Sequence, residues 1–155
     1  MRGALRYYRP ARSAHGASGP NRMQTPKLDN PYLENLGVRL DAWQPGHVVM
    51  SLLTDESHAN RTGVVQGGIV ATVLDAAAGY AGLMSEEGEP GHAATISLAI
   101  NYVAPARLGA LRVEARITGG GRKVYFSEAK VFDAGGNLVA TAQGSFRRYG
   151  GQRPA

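Results

Sequence analysis

From Gln66 to Met84 the chain is apolar or small at nearly every position, and Asp75 is the one side chain in that run that is charged at neutral pH. No polar stripe separates a wet face from a dry one. A helix that is apolar on nearly every face is normally wrapped by other structure on all sides, so the pattern predicts a helix from Gln66 to Met84 in the middle of the domain. Asp75 then lies in or beside a core.

The flanking segments have a different period. Asp29 to Gly37 reads as a short helix, with Asn30 as its N-cap, Pro31 at the first helical position and Gly37 as the stop. Val38, Leu40 and Ala42 then alternate with Arg39 and Asp41 as a strand. Pro45-Gly46 makes a hairpin turn into a second strand, His47 to Leu53. Thr54 to Asn60 reads as a polar loop, and Ser85 to Gly91 as an exposed acidic, turn-rich loop. The remainder is strand: Ala94 to Val103, Leu108 to Thr118, Lys123 to Phe132 and Leu138 to Phe146, with turns at Gly119-Gly120-Gly121 and Asp133 to Asn137. One long apolar helix among runs of antiparallel strands predicts an α+β fold with the sheet curled around the helix.

At 155 residues the chain is one domain in size and needs no staples to bury a core. There are no cysteines, which removes disulfides, thiolate metal sites and a cysteine nucleophile, and fits a reducing, cytoplasmic compartment. The formal charge of +5 comes from one end: residues 1–28 hold six basic side chains and no acid, leaving the rest at −1. The expected organisation is a disordered basic tail over 1–28, a folded domain over 29–148 and a flexible tail over 149–155. Such a tail binds polyanions weakly, so no specific nucleic-acid partner is expected. No uncharged apolar run is long enough for a membrane span.

Several chemistries have no foothold. There is no Gly-x-Ser-x-Gly elbow, dinucleotide fingerprint or phosphate loop, and Gly119-Gly120-Gly121 joins two strands rather than opening a helix. His15, His47, His58 and His92 lack metal-ligand spacing. No metal or cofactor is expected. What stands out is Asp75, since an unpaired buried carboxylate is costly. It is either satisfied by a backbone N–H or an arginine, or it is a catalytic acid or base.

Asn60, Gly63, Gln66-Gly67-Gly68, Asp75, the polar residue entering Thr95-to-Tyr102, then Pro105 and Gly109, form a pattern over residues 30–148 that resembles the hotdog-fold acyl-CoA thioesterases, in particular the small phenylacetate-pathway-type branch. The resemblance implies a sheet wrapped around one long helix, hydrolysis of an acyl-CoA thioester, and a homodimer or homotetramer with its sites at the subunit interface. Coenzyme A is part of the substrate.

Thioester hydrolysis needs an oxyanion stabiliser and an activated water or a carboxylate nucleophile. The first-turn N–H of Gly67, at the positive end of the helix dipole, suits the first role. Gly67-Gly68 lets substrate approach the backbone; close helix packing is the alternative reason for it. Asp75 suits the second role. The two are eight residues apart, about 12 Å along one helix, so one helix cannot build the site alone. The resemblance implies that the helix start of one subunit faces the carboxylate of its mate. It also implies that Asn60 holds the thioester carbonyl with the Gly67 N–H, and that Thr95 helps Asp75 hold the water. From the residues alone, Asn60 also reads as a loop or cap residue and Thr95 as an ordinary strand residue.

Arg122 and Lys123 resemble the family's basic phosphate contact, with Arg107 and Arg61 as further candidates. Arg147 and Arg148 read as solvated ends of the last strand. The departure from the family is Gln66, where the pattern usually has His. A carboxamide can donate a hydrogen bond to a leaving sulfur but cannot deliver a proton to it. A non-catalytic acyl-CoA-binding module is therefore the alternative. His58, two residues before Asn60, is a candidate substitute and also reads as a lone exposed loop histidine.

Overall fold

Asn30 caps the first helix as its sequence predicts. In the computed structural model, which describes residues 28–84 and 91–149, its Oδ1 accepts the N–H groups of Tyr32 and Leu33 at 3.1 and 3.3 Å. Helix α1 spans Pro31–Leu36 and ends at Gly37, whose φ of 85° is left-handed. The basic tail as far as residue 27, most of the acidic loop (85–90) and the chain from residue 150 lie outside the described residues.

Strands β1 (Val38–Gln44) and β2 (His47–Thr54) form the expected hairpin, followed by one 3-10 turn, Glu56–His58, inside the predicted polar loop. Helix α2 is Gly67–Tyr80, and strands β3 (His92–Tyr102), β4 (Gly109–Gly120), β5 (Val124–Phe132) and β6 (Leu138–Tyr149) complete the described residues. All six strands lie in one antiparallel sheet, in the order β1-β2-β4-β5-β6-β3. One apolar helix packed on one antiparallel sheet is the expected α+β arrangement.

Four boundaries and faces differ from expectation. Helix α2 stops at Tyr80 instead of Met84: the N–H groups of Gly82 and Leu83 turn back to Gly79 and Tyr80, three residues earlier, where Gly82 packs on the Tyr125 ring with no room for a β-carbon. Gly119 and Gly120 continue β4, pairing with Phe126 and Tyr125, so the glycine turn shrinks to its end. A bulge between Leu40 and Ala42 breaks the alternation of β1. Ala42 is therefore exposed, and Trp43 is turned onto Tyr80 with ring centroids 5.1 Å apart. Strand β6 runs past Phe146, and Arg148 is no solvated end: its guanidinium stacks on the Tyr125 ring at 4.3 Å and donates to the carbonyls of Gly82 and Gly121.

The core lies between the sheet and one side of α2. Val70, Val73, Leu74, Ala77 and Ala78 bury against Met50, Val113, Val131 and Phe146, and each large aliphatic among them contributes about 1.5–3 kcal/mol. The expectation that α2 is wrapped on all sides is corrected within one chain. Gly68 is exposed, and Ile69, Thr72, Asp75 and Ala76 are partly open. A single sheet covers only one side of a helix, so the other apolar side of α2 has no partner among the described residues.

Candidate active site

The opening of α2 is held by backbone more than by side chains. The Gln66 N–H donates to the His58 carbonyl at 2.8 Å, and the Val65 N–H to the Ala106 carbonyl at 2.9 Å. Gln66 is the cap residue, yet its side chain makes no capping hydrogen bond. The amides of Gly67 and Gly68 belong to the first turn, which has no intrahelical partners for its N–H groups, at the positive end of the dipole. Asn60 stands beside them, half-buried. Its Oδ1 is committed to the N–H and hydroxyl of Thr62 at 2.8 and 2.7 Å, which leaves the amide donors of its side chain to face a ligand.

Asn60 and Gly67 share a cleft of about 350 Å³ with Val70, Tyr102, Pro105 and Ala106. Asn60 also borders a second cavity, of about 590 Å³, with His58, Arg61, Thr62, Gln66 and Ile69. Arg107 follows Ala106 and is exposed. The helix opening thus gathers Asn60, Arg61, Gln66, Gly67, Gly68 and Arg107.

Asp75 lies elsewhere, two turns along α2, and borders neither cavity. Its Oδ1 accepts the Thr95 hydroxyl at 2.8 Å, so the carboxylate is partnered while part of it stays open. A bulge in β3 sets that contact. Thr95 pairs with Phe146 and Ser97 with Ser145, which leaves Ile96 as the extra residue. Side chains on a regular strand alternate. With one residue inserted, Thr95 before the bulge and Leu98, Ile100 and Tyr102 after it all face α2. Arg122 and Lys123 sit toward the far end of α2, where Arg148 donates its N–H to the Lys123 carbonyl and its guanidinium to the carbonyls of Gly121 and Gly82. One chain therefore brings Thr95 to Asp75 and Asn60 to Gly67, and keeps those two pairs apart.

A family model described as Thioesterase superfamily matches residues 62–140, the stretch holding Gly67, Gly68, Asp75, Thr95 and Tyr102. The chain belongs to the thioesterase superfamily. The Pseudomonas aeruginosa protein PA0474 is 35% identical over 121 residues, 76% of this chain and 87% of its own. Human acyl-coenzyme A thioesterase 13 is 31% identical over 105 residues, 66% of this chain and 74% of its own. The solved structure of the Escherichia coli PaaI protein from the phenylacetic acid degradation operon superposes with a TM-score of 0.72 at 19% identity, covering 80% of this chain and 88% of that one. At that identity the likeness speaks for the fold, which is the hotdog. This thioesterase is a thioester hydrolase.

Two features of the thioesterase were not read from its sequence. Tyr102 donates its hydroxyl to the Gly67 carbonyl at 2.9 Å. The missed signal is a helix opening on two glycines with no capping side chain, which needs a partner from another element. His58 is not a lone exposed histidine: its side chain is 13% exposed, and its Nδ1 lies 2.9 Å from Asp55 Oδ1 within a capping box. Hydrogen bonds from Ser57, then from His58, hold the Asp55 carboxyl down at about 2. Asp55, Ser57 and His58 have the composition of a hydrolytic triad without its wiring. Ser57 Oγ and Asp55 Oδ1 both approach the same ring nitrogen, whereas a triad uses one nitrogen for each.

Proposed function

We propose that this thioesterase hydrolyses acyl-coenzyme A at sites built by two copies of the chain, as a homodimer or a homotetramer. The Gly67 N–H and the Asn60 amide of one copy hold the thioester carbonyl, and Asp75 of the other activates water. The observation that carries this reading is the separation of Gly67 and Asp75 along α2, about 12 Å, too far for both to serve one carbonyl. The open apolar side of α2 and the unpaired edge of β3 support it. On β3 and just beyond, Ile96, Tyr102 and Val103 are 58%, 55% and 57% exposed, more apolar surface than an edge strand normally leaves in water. Acyl-CoA as substrate is supported by the name of the human relative.

In the reaction, the Asp75 carboxylate takes a proton from a water held with the Thr95 hydroxyl, and the water oxygen bonds the carbonyl carbon. Negative charge collects on the carbonyl oxygen, where the Gly67 N–H and Asn60 stabilise it. Collapse breaks the carbon–sulfur bond and expels the coenzyme A thiolate, and the proton leaves Asp75 for sulfur or solvent. Gln66 donates a hydrogen bond at the site without supplying a proton. Arg61 and Arg107 of one copy, with Arg122 and Lys123 of the other, meet the coenzyme A phosphates. No cofactor takes part.

The test is free-thiol release from a panel of aromatic and aliphatic acyl-CoAs, with wild type, Asp75→Asn and Gln66→His side by side. Turnover by the wild type that is lost in Asp75→Asn supports the enzyme. A silent wild type with an active Gln66→His variant means a non-catalytic binding module instead.

A further inference from the structure

To a helix opening held mainly by backbone bonds, Tyr102 adds a side-chain bond. Peptide planes at Gly67 and Gly68 are the least constrained that sequence can supply, because glycine restricts its backbone least, and the Gln66 side chain gives no cap. Tyr102 reaches this point from β3. Its hydroxyl donates to the Gly67 carbonyl at 2.9 Å, and its ring lies 3.6 Å from where a Gly67 β-carbon would stand. The peptide whose carbonyl accepts that bond carries the Gly68 N–H at its other end. A donor on the carbonyl holds the plane and polarises the amide, since hydrogen bonds in a chain strengthen one another. The Gly67 N–H belongs to the preceding peptide, whose Gln66 carbonyl accepts the Ile69 N–H at 2.9 Å, so the planes on both sides of the Gly67 α-carbon are tied down.

Tyr102 reaches Gly67 only because β3 is bulged at Ile96. The extra residue places Tyr102 on the α2 side of the sheet together with Thr95: the seven steps from Thr95 to Tyr102 on β3 match six on β6, from Phe146 to Ala140. One edge strand therefore contacts both chemical groups of α2, Asp75 through Thr95 and the Gly67 peptide through Tyr102.

We propose that Tyr102 is a positioning residue for thioester hydrolysis: its hydroxyl holds the Gly67–Gly68 peptide, and so the first turn in which the Gly67 N–H receives the developing oxyanion. This rests on the two-copy reading given above. A hydroxyl acting only in packing changes stability and leaves turnover per folded molecule alone; a positioning hydroxyl changes turnover.

The test is Tyr102→Phe in the full chain, which keeps the ring. The expected result is a fall of about tenfold in kcat with KM within about twofold, the size of one lost hydrogen bond acting in the transition state. In the amide NMR spectrum the Gly67 and Gly68 signals shift and exchange faster with solvent, a readout that needs no turnover. Unchanged kcat overturns the proposal, as do unmoved Gly67 and Gly68 signals. A loss of activity that merely tracks a lower folded fraction in thermal melts overturns it too. Full turnover in Asp75→Asn, by contrast, contradicts the two-copy reading in which Asp75 activates water, whatever Tyr102→Phe does to the amide signals.

Discussion

At the C-terminal end of α2 the sheet adds side-chain donors to the last carbonyls, two of which, Gly79 and Tyr80, also accept the backbone N–H groups of Gly82 and Leu83. Ser127 Oγ donates to Ala78 at 2.7 Å, the Tyr125 hydroxyl to Gly79 at 2.6 Å and the Trp43 indole to Tyr80 at 2.8 Å, while Arg148 Nε reaches Gly82 at 3.2 Å. At the N-terminal end the cap residue gives no side-chain bond, Gly67 borders an open cleft and Gly68 is exposed. Both ends face the same problem of unpaired backbone groups. One end solves it internally and is finished as structure. The other keeps its donors for something that is not part of the chain, and that difference marks the functional end without reference to any relative.

The largest way to sharpen the contrast is through Asp75, which belongs to neither end. Asp75→Asn is expected to lower kcat by about a thousandfold, roughly 4 kcal/mol of barrier, with little change in thermal unfolding; steady-state kinetics beside a melt decides it. Next come two changes at the closed end, both expected to alter stability and to spare turnover. Gly82→Ala drives a methyl into the Tyr125 ring and is expected to cost about 3 kcal/mol, read from the midpoint of urea unfolding. Ser127→Ala leaves the Ala78 carbonyl without its donor beside a side chain that is 1% exposed, at a cost of about 2 kcal/mol in the same assay. If either lowers kcat per folded molecule as strongly as it lowers stability, the division between the two ends fails.

The smallest effect is a response to alkali. Burial raises the phenols of Tyr80 and Tyr125 above the ordinary 10.0. Because the unfolded chain ionises first, their contribution to stability is complete below about pH 10 and is lost as the pH climbs through the higher folded values. Urea midpoints measured on either side of pH 10 check the sign, and Tyr125→Phe should weaken the dependence.

The local features of the fold were legible because their causes are local. Asn30, Pro31 and Gly37 announce α1, Pro45-Gly46 announces the hairpin, and the apolar run after Gln66 announces α2. What escaped the sequence depends on packing between distant segments. The bulges at Asp41 and Ile96 change which residues face the core, and nothing in Arg39-Leu40-Asp41 or Thr95-Ile96-Ser97 requires an extra residue there; the paired strands and the helix decide it. Arg148 looked solvated because a basic residue near a strand end usually is, and only the folded chain brings Gly82 and Tyr125 against it. In the candidate site, Asp75 was conspicuous as the one charge in an apolar run. Tyr102 was not, since an aromatic residue in a strand is ordinary until its hydroxyl is seen on Gly67.

The claim at the centre is that Gly67 and Asn60 of one copy work with Asp75 of the other. It is tested by mixing two impaired variants, Asn60→Ala and Asp75→Asn, under conditions that exchange subunits, and measuring acyl-CoA hydrolysis. In a hybrid dimer one site carries both defects and the other carries none, so random mixing should restore about a quarter of wild-type activity. If activity stays at the mean of the two variants however fully the subunits exchange, each site lies within a single chain and the shared site is wrong.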